Sequence, residues 1–275
     1  MHESVLSEIE FNAQSGKLWV RMKRYPAICV ASWKIMFAKT AACRADFVMG
    51  SIMNLACSSI FPLVTVGIYR SGLTFPGYTM WQVLLIQSVY NMSNLTASAL
   101  LGGVLRFSGN LEGVLLKPVP PLFYLIAVKL DPNRLIPATG WLAMTAAALA
   151  NTGSVTLGGF AQSVLLYLAG LAFLCGFFLI MAALTFRSAG SSRLPEIFDS
   201  VKMFGNFPGS VFPKTIRVLT TSVIPVTLTG FLPASALLGN AEALSFQAVA
   251  PSILFLLLGI LAYSCIIRLH KGVGK

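Results

Sequence analysis

The chain has 275 residues, of which 56% are hydrophobic and only 11% charged, and its mean hydropathy is +0.78. This composition excludes an ordinary soluble domain, which needs a larger charged surface, and is typical of a protein that crosses a membrane several times. The net charge of +11 does not indicate nucleic-acid binding, because the basic residues stand at the ends of apolar runs and form no patch on a polar domain.

The amino-terminal part divides into two segments before the first apolar run. Residues 1–16 form a polar, acidic tail that lacks the basic start and apolar middle of a cleavable signal peptide, so we expect it to be retained. Residues 17–46 are basic and contain Trp19 and Trp33, and they are too charged to span a bilayer. We expect an interfacial (elbow) helix here, lying on the cytoplasmic surface, with Pro26 near a helix start.

Six apolar runs follow within residues 47–267. A bilayer core about 30 Å thick takes roughly 20 helical residues to cross. Four runs of at least this length contain no Asp, Glu, Lys or Arg: 47–69, 80–105, 157–186 and 246–267. Two more are marginal, 135–150 with Pro137 in its first turn and 216–232 with Pro225 inside it. The sequence therefore predicts an all-α integral membrane protein with six transmembrane helices.

The basic residues predict the orientation. Lys and Arg accumulate in cytoplasmic loops. If the amino terminus is cytoplasmic, nineteen of the 20 basic residues fall on the cytoplasmic side and only Arg70 lies outside. We therefore expect both termini, the loop 106–134 and the tail 268–275 to be cytoplasmic. Arg70 and Glu242 are expected to be external.

Few residues that could carry catalysis or bind a metal are present. The two histidines, His2 and His270, stand near opposite ends of the chain, and the predicted spans contain no Asp or Glu. The five cysteines are scattered singly, which is typical of reduced packing residues. No Gly-x-x-x-x-Gly-Lys-Ser/Thr motif occurs. We expect no catalytic residue, no metal site and no bound cofactor in this chain.

Uncharged polar residues are concentrated in the second predicted span. At 100° per residue, four of them lie within about 60° of one another on one helix face. They are Gln87, Asn91, Asn94 and Ser98. Such a stripe should not face lipid, and two alternatives explain it: hydrogen bonds between helices, or the lining of a substrate path or subunit interface. Thr227 in the fifth run is a further candidate, although its hydroxyl could instead bond backbone groups released by Pro225.

The segment that follows the fifth run has two interpretations. Residues 233–245 could form an ordinary outer loop. They could also re-enter the outer leaflet as short helices, because non-helical backbone is tolerated at that depth when protein or water covers it. The sequence alone leaves both alternatives open.

Two stretches of the chain resemble a known family. The basic amino-terminal segment, six spans, a polar loop after the second span and a short fifth span before a Pro-Ala turn resemble the membrane subunits of ABC type-2 exporters. RFSGNLEGVLLKPVPPLF (106–123) and FPGSVFPKTIRVLTTSVIPVTLTGFLPASALLG (207–239) are similar to the viologen-exporter permease branch. The resemblance covers residues 21–267. It implies partner ATPase subunits that bind ATP and Mg, and a second, identical or related, permease subunit.

The loop after the second span is the candidate for coupling to that ATPase. The residues assigned to it are Arg106, Asn110, Leu111, Glu112, Leu115, Lys117 and Pro118. Asn110 can begin a short helix, Glu112 near its start suits the helix dipole, and Pro118 ends it. The leucines supply apolar contacts, and the flanking basic residues can hold the headgroup level. The alternative is a solvated inner loop that its prolines stiffen.

The sequence therefore predicts a permease subunit of an ATP-driven exporter in a bacterial inner membrane, which forms a substrate path with a second permease. A path of amide and hydroxyl groups is compatible with lipophilic cations, amphiphilic drugs, lipids or modified peptides. One alternative is an ion- or proton-coupled secondary carrier, which should show paired broken helices and buried ionisable residues. Another is an integral-membrane lipid enzyme, which needs acids or histidines clustered at the membrane surface.

Overall fold

The computed structural model describes residues 18–105, 114, 119–128, 134–153, 155–187, 193–239 and 244–273. In these ranges the chain is helical and contains no β-strand, which confirms the all-α prediction for the described part. The α-helices are α1 (Leu18–Ala42), α2 (Arg44–Arg70), α3 (Met80–Leu105), α4 (Pro121–Val128), α5 (Leu135–Thr152), α6 (Leu157–Arg187), α7 (Leu194–Lys202), α8 (Lys214–Val218), α9 (Phe231–Leu237), α10 (Leu244–Gln247) and α11 (Val249–Val273).

Five of these helices coincide with predicted spans. α3 has the predicted bounds, and α2, α5, α6 and α11 begin within three residues of the predicted positions. Among the described residues, three helical stretches are long and apolar enough to cross a membrane: Arg44–Arg70, Leu157–Phe186 and Val249–Leu269. α3 is long enough at 26 residues, but its polar side chains lower its hydropathy. The count of six spans and the cytoplasmic location of both termini stay predictions.

The amino-terminal helix differs from the expectation in one respect. α1 continues through Pro26, which we expected near a helix start, and it ends at a bend at Cys43. The ring of Tyr25 packs against Phe123 of α4 with the centroids 4.8 Å apart. Trp33 and Phe37 are 50% and 53% exposed, respectively. Two large exposed rings suit a helix at a membrane interface, and the interfacial location of residues 17–46 remains a prediction.

The turn between α2 and α3 marks one end of the bundle, which we call the turn end. The Tyr69 hydroxyl donates to the carbonyl of Tyr78 over 2.7 Å and accepts the Phe75 N–H over 3.3 Å, so the turn is closed by its own side chain. Tyr78 packs against Phe231 of α9, with ring centroids 6.4 Å apart. α9 therefore lies at the turn end, the end expected to be external.

α6 and α11 form the central helix pair and run parallel. Gly176 of α6 lies against the backbone of α11, and a Cβ atom there would collide with the Phe255 carbonyl. Phe173 of α6 packs on Phe255 at 5.2 Å, and Phe186 on Tyr263 at 6.3 Å. Close approach of two backbones through glycine is a common way to pack helices in membranes.

The fifth predicted span is not one helix. α8 passes into a π-helical turn, Leu219–Val223, in which the Ile224 N–H bonds the Leu219 carbonyl over 2.9 Å. Pro225 follows, then a 3-10 turn, Val226–Thr229, and then α9. Proline has no N–H to continue a helix, so the interruption predicted at Pro225 is present. All seven residues of α9 are buried, which an ordinary outer loop would not show.

Candidate functional site

The polar residues of α3 are buried, as the sequence analysis requires of a stripe that avoids lipid. Gln87 is 0% exposed, Asn91 5% and Ser98 8%, and Asn94 is half-buried. Ser88 and Ser93, which the sequence analysis did not single out, are also completely buried. The polar side chains of α3 thus lie inside the bundle over most of its length.

Toward the turn end, these side chains bond neighbouring helices. Gln87 donates from Nε2 to the Thr65 hydroxyl of α2 over 2.8 Å. The Thr145 hydroxyl of α5 donates to the Ser88 hydroxyl over 3.0 Å. Asn91, by contrast, donates to the Gln87 carbonyl of its own helix over 2.8 Å. In this half of α3 the structure favours interhelical hydrogen bonding over a substrate path.

Toward the other end, Asn94 meets a residue that the sequence analysis did not include in the site. The Lys202 ammonium donates to Asn94 Oδ1 over 3.3 Å, and it lies 2.8 Å from Oδ1 of Asp199. It also stands over the rings of Phe198 at 4.4 Å and Phe178 at 5.2 Å. Lys202 is 6% exposed. A lysine that is nearly buried is rare, and this one is surrounded by a carboxylate, an amide oxygen and two aromatic faces.

The burial of Lys202 changes its acid–base properties. Burial lowers the pKa of the ammonium, the hydrogen bond and charge of Asp199 oppose that change, and the charge of Arg134 adds to the lowering. Burial disfavours a charged group because the interior solvates it less well than water does. Asp199 thus favours the charged form of a lysine whose burial disfavours it.

The position of this contact along α3 is informative. Asn94 is 14 residues from Met80 and 11 from Leu105, which corresponds to about 21 and 16 Å along the helix. From the sequence, Lys202 is expected in a cytoplasmic connection between the fourth and fifth spans. In the structure its ammonium reaches the middle third of α3. Asp199 and Lys202 are three residues apart, a spacing that allows an ion pair on a helix. This spacing predicts a helix at 199–202, but it does not predict that Lys202 is buried.

The chain after Lys202 continues into the bundle. Phe207 packs against Phe61 of α2 at 5.8 Å and against Phe75 of the turn end at 6.3 Å. Residues 203–206 lie beside residues 226–230 and against α3. A Cβ atom on Gly230 would be 2.6 Å from the Gly205 carbonyl and 2.9 Å from the Ile86 carbonyl, so only glycine permits this approach. The connection expected on the cytoplasmic side is thus partly an internal element.

Thr227 is completely buried, and its hydroxyl bonds the broken segment. Its hydroxyl lies 3.2 Å from the Thr220 carbonyl, to which it donates, and 3.3 Å from the Thr221 hydroxyl. Thr229 donates to the Val226 carbonyl over 2.6 Å. Both hydroxyls bond groups of the broken segment itself, as expected for residues that satisfy backbone released by Pro225. The structure gives no support to Thr227 as a lining residue.

The seven residues assigned to the coupling loop lie outside the described residues. Val114 is the one residue of the range 106–118 that the structure describes, and it is 6% exposed. It packs into the cluster that contains Leu101, Phe178 and Tyr263. The loop therefore has at least one residue buried in a core cluster to which α3, α6 and α11 contribute. Elsewhere, the described ranges hold no group of three or more His, Cys, Asp or Glu side chains that could bind a metal.

One comparison with known proteins gives a match. Residues 55–270 match the family model described as ABC-2 family transporter protein. No curated protein and no solved structure matches the chain. The matched range begins within α2 and ends within α11, so it includes the polar face of α3, Lys202 and the broken segment.

Proposed function

Because the chain belongs to the ABC-2 transporter family, we propose that it is the permease subunit of an ATP-driven exporter in the inner membrane of a bacterium. The match over residues 55–270 is the observation that carries this proposal. Long apolar helices around buried polar side chains are consistent with a multi-pass transport component. A second permease, identical or related, completes the path, and the viologen-exporter branch remains the resemblance that specifies the family further.

ATP and Mg are assigned to a separate ATPase subunit, with which permeases of this family normally work. The loop 106–118 is proposed to dock on that subunit through its coupling residues. Val114 supports this role from the permease side, because it is buried in a core cluster to which α3, α6 and α11 contribute. A displacement of the loop would then move these helices together.

We assign the path to the half of α3 that contains Asn94 and Ser98. Near the turn end, Gln87 and Ser88 bond α2 and α5 and hold the bundle closed. Asn94 instead contacts a charged side chain on a short helix, and the charge lies next to an exposed carboxylate. A short helix with an exposed carboxylate is easier to displace than long helices that pack in the bundle.

One observation favours the secondary-carrier alternative. A carrier should show buried ionisable residues, and Lys202 is one. A carrier should also show two broken helices in related halves, and in the described residues the break at Pro225 has no counterpart in α2, α3, α5 or α6. Family membership supports the ATP-driven exporter over the carrier.

The test is affinity purification of the tagged chain from its native membrane in a mild detergent, followed by identification of the co-purified proteins. We expect an ATPase with a phosphate-binding loop, a second copy or a related permease, and Mg-dependent ATP hydrolysis that vanadate inhibits. A chain that purifies without any ATPase, from membranes that contain it at normal abundance, would contradict the proposal.

A further inference from the structure

The Lys202 side chain joins α7 to α3 and α6 through contacts of two kinds. Asp199 and Phe198 belong to α7 itself, so these contacts move with Lys202. Asn94 of α3 and Phe178 of α6 belong to the long helices. The contact to Asn94 is longer, at 3.3 Å, than the 2.8 Å contact to Asp199. If α7 moved away from α3, the weaker contact would break and the stronger one would persist.

The surroundings of Asp199 make such a movement feasible. Its side chain is 68% exposed although it pairs with a buried ammonium. After release, the ammonium would remain next to this carboxylate and become hydrated, so no unpaired charge would be left in the interior. Burial opposes the closed position, while the amide oxygen and the aromatic faces favour it. The closed position is therefore a balance of opposing effects, which a movement of α7 can shift.

We propose that Lys202 is a latch on the polar face of α3: the Asn94 amide oxygen holds the ammonium, and with it α7, in the closed conformation against the tendency of the charge to return to water, and transport requires this contact to release. Lys202 is thus a positioning residue. The inference rests on the proposed function, since it takes the Asn94 and Ser98 half of α3 as the path. The charge is essential to the latch, because an apolar side chain of the same length would pack on the aromatic rings without any tendency to leave.

Two variants should shift the latch in opposite directions. Lys202→Met keeps an unbranched side chain against Phe178 and Phe198 and removes the charge, so it favours the closed conformation. Asn94→Ala removes the acceptor on α3 and leaves Lys202 intact, so it favours the open conformation. If the two substitutions only removed packing contacts, both variants would favour the open conformation, so opposite shifts cannot result from lost packing alone. Lys214→Met is the matched control, since it removes an exposed lysine from α8.

The reporter is Ser98→Cys in a chain whose five native cysteines are replaced by serine. Ser98 is 8% exposed, so the parent should react slowly with N-ethylmaleimide. The whole complex with its ATPase is labelled in nanodiscs without ATP, and the thermal midpoint of each variant is measured. Asn94→Ala should raise the labelling rate about tenfold, the size expected for a lost hydrogen bond to a charged group. Lys202→Met should label no faster than the parent and melt at the same or a higher temperature.

The outcomes separate the latch from a packing role and from the proposed function. Faster labelling in both variants, with lower thermal midpoints, would mean that Lys202 only packs, and would overturn the latch. Equal labelling in parent, Lys202→Met and Asn94→Ala would also overturn it. If no ATPase co-purifies with the chain, the exporter proposal fails. The latch is then tested independently, because it depends only on whether the two variants change the N-ethylmaleimide labelling rate in opposite directions.

Discussion

α3 and the segment 203–239 both bury polar groups inside the bundle, but they satisfy those groups in different ways. α3 is one helix of 26 residues, so its backbone groups bond within the helix. Asn91 also bonds a carbonyl of α3, but Gln87 and Ser88 bond side chains of neighbouring helices. The segment 203–239 is divided into several short helical pieces. There the side chains of Thr227, Thr229 and Ser235 bond carbonyls of the segment itself.

The difference shows two uses of a polar side chain in an apolar protein. Backbone groups that are buried without a partner are costly, so an interrupted helix needs nearby hydroxyls. An uninterrupted helix does not need hydroxyls for its backbone groups, so polar side chains on it can bond other helices or contact a transported substrate. For this reason we place the candidate path on α3 and assign the threonines of the broken segment to structure.

The largest expected effect concerns which side of the membrane each region reaches. We expect a single cysteine at position 112, after α3, to be unreactive toward an impermeant thiol reagent from outside, and one at Arg70, at the turn end, to react. The reason is the accumulation of nineteen of the 20 basic residues on one predicted side. Labelling of position 112 from outside in intact cells would contradict the orientation.

A second prediction tests the contact between the broken segment and α3. Gly230→Val should destabilise the protein by about 3 kcal/mol or more, because the new atoms would overlap the Gly205 and Ile86 carbonyls. The measurement is the thermal midpoint in detergent and the amount of monodisperse protein. Gly67→Ala in α2 is the control, since a Cβ atom there meets nothing within 4 Å. Equal stability of the two variants would show that the segment does not approach α3 so closely.

A third prediction tests whether the loop that follows α3 transmits movement of the ATPase to the permease. Glu112→Arg and Leu115→Asp should each insert in the membrane normally but lower ATPase co-purification on the order of tenfold, as for a contact of central importance in an interface. They should also uncouple ATP hydrolysis from transport. If both variants retain the ATPase at the unmodified level, the loop is only a connection and α3 receives motion elsewhere.

The smallest expected effect concerns the turn-end half of α3. Gln87→Leu and Thr65→Val should each cost about 1 kcal/mol, and the double variant should cost little more than either, because both remove the same hydrogen bond. Thermal unfolding of the four proteins measures the coupling. Additive losses would mean that the two side chains do not interact, and the interhelical assignment of Gln87 would be wrong.

The comparison also explains what the sequence could predict. The bounds of α3 and the burial of Gln87, Asn91 and Ser98 follow from local composition, since a charge-free run with polar residues on one face must be a helix with that face covered. The break at Pro225 is equally local. The burial of Lys202 depends on Phe178 and Asn94, which are 24 and 108 positions away in the chain. Local composition could not predict it, because a charged residue in a short connecting segment is expected to be exposed to water.

The length of α6 has a consequence for the lipid around the protein. Its apolar stretch Leu157–Phe186 has 30 residues, about 45 Å, against a hydrocarbon thickness of about 30 Å. α11 is parallel to it and begins near the level of Gly170, so the surplus of α6 extends beyond α11 at the turn end. There Gly159 lies against Ala236 of α9. On that flank we expect the short helix to cover part of the surplus length of α6, so that the local bilayer need not thicken to match it.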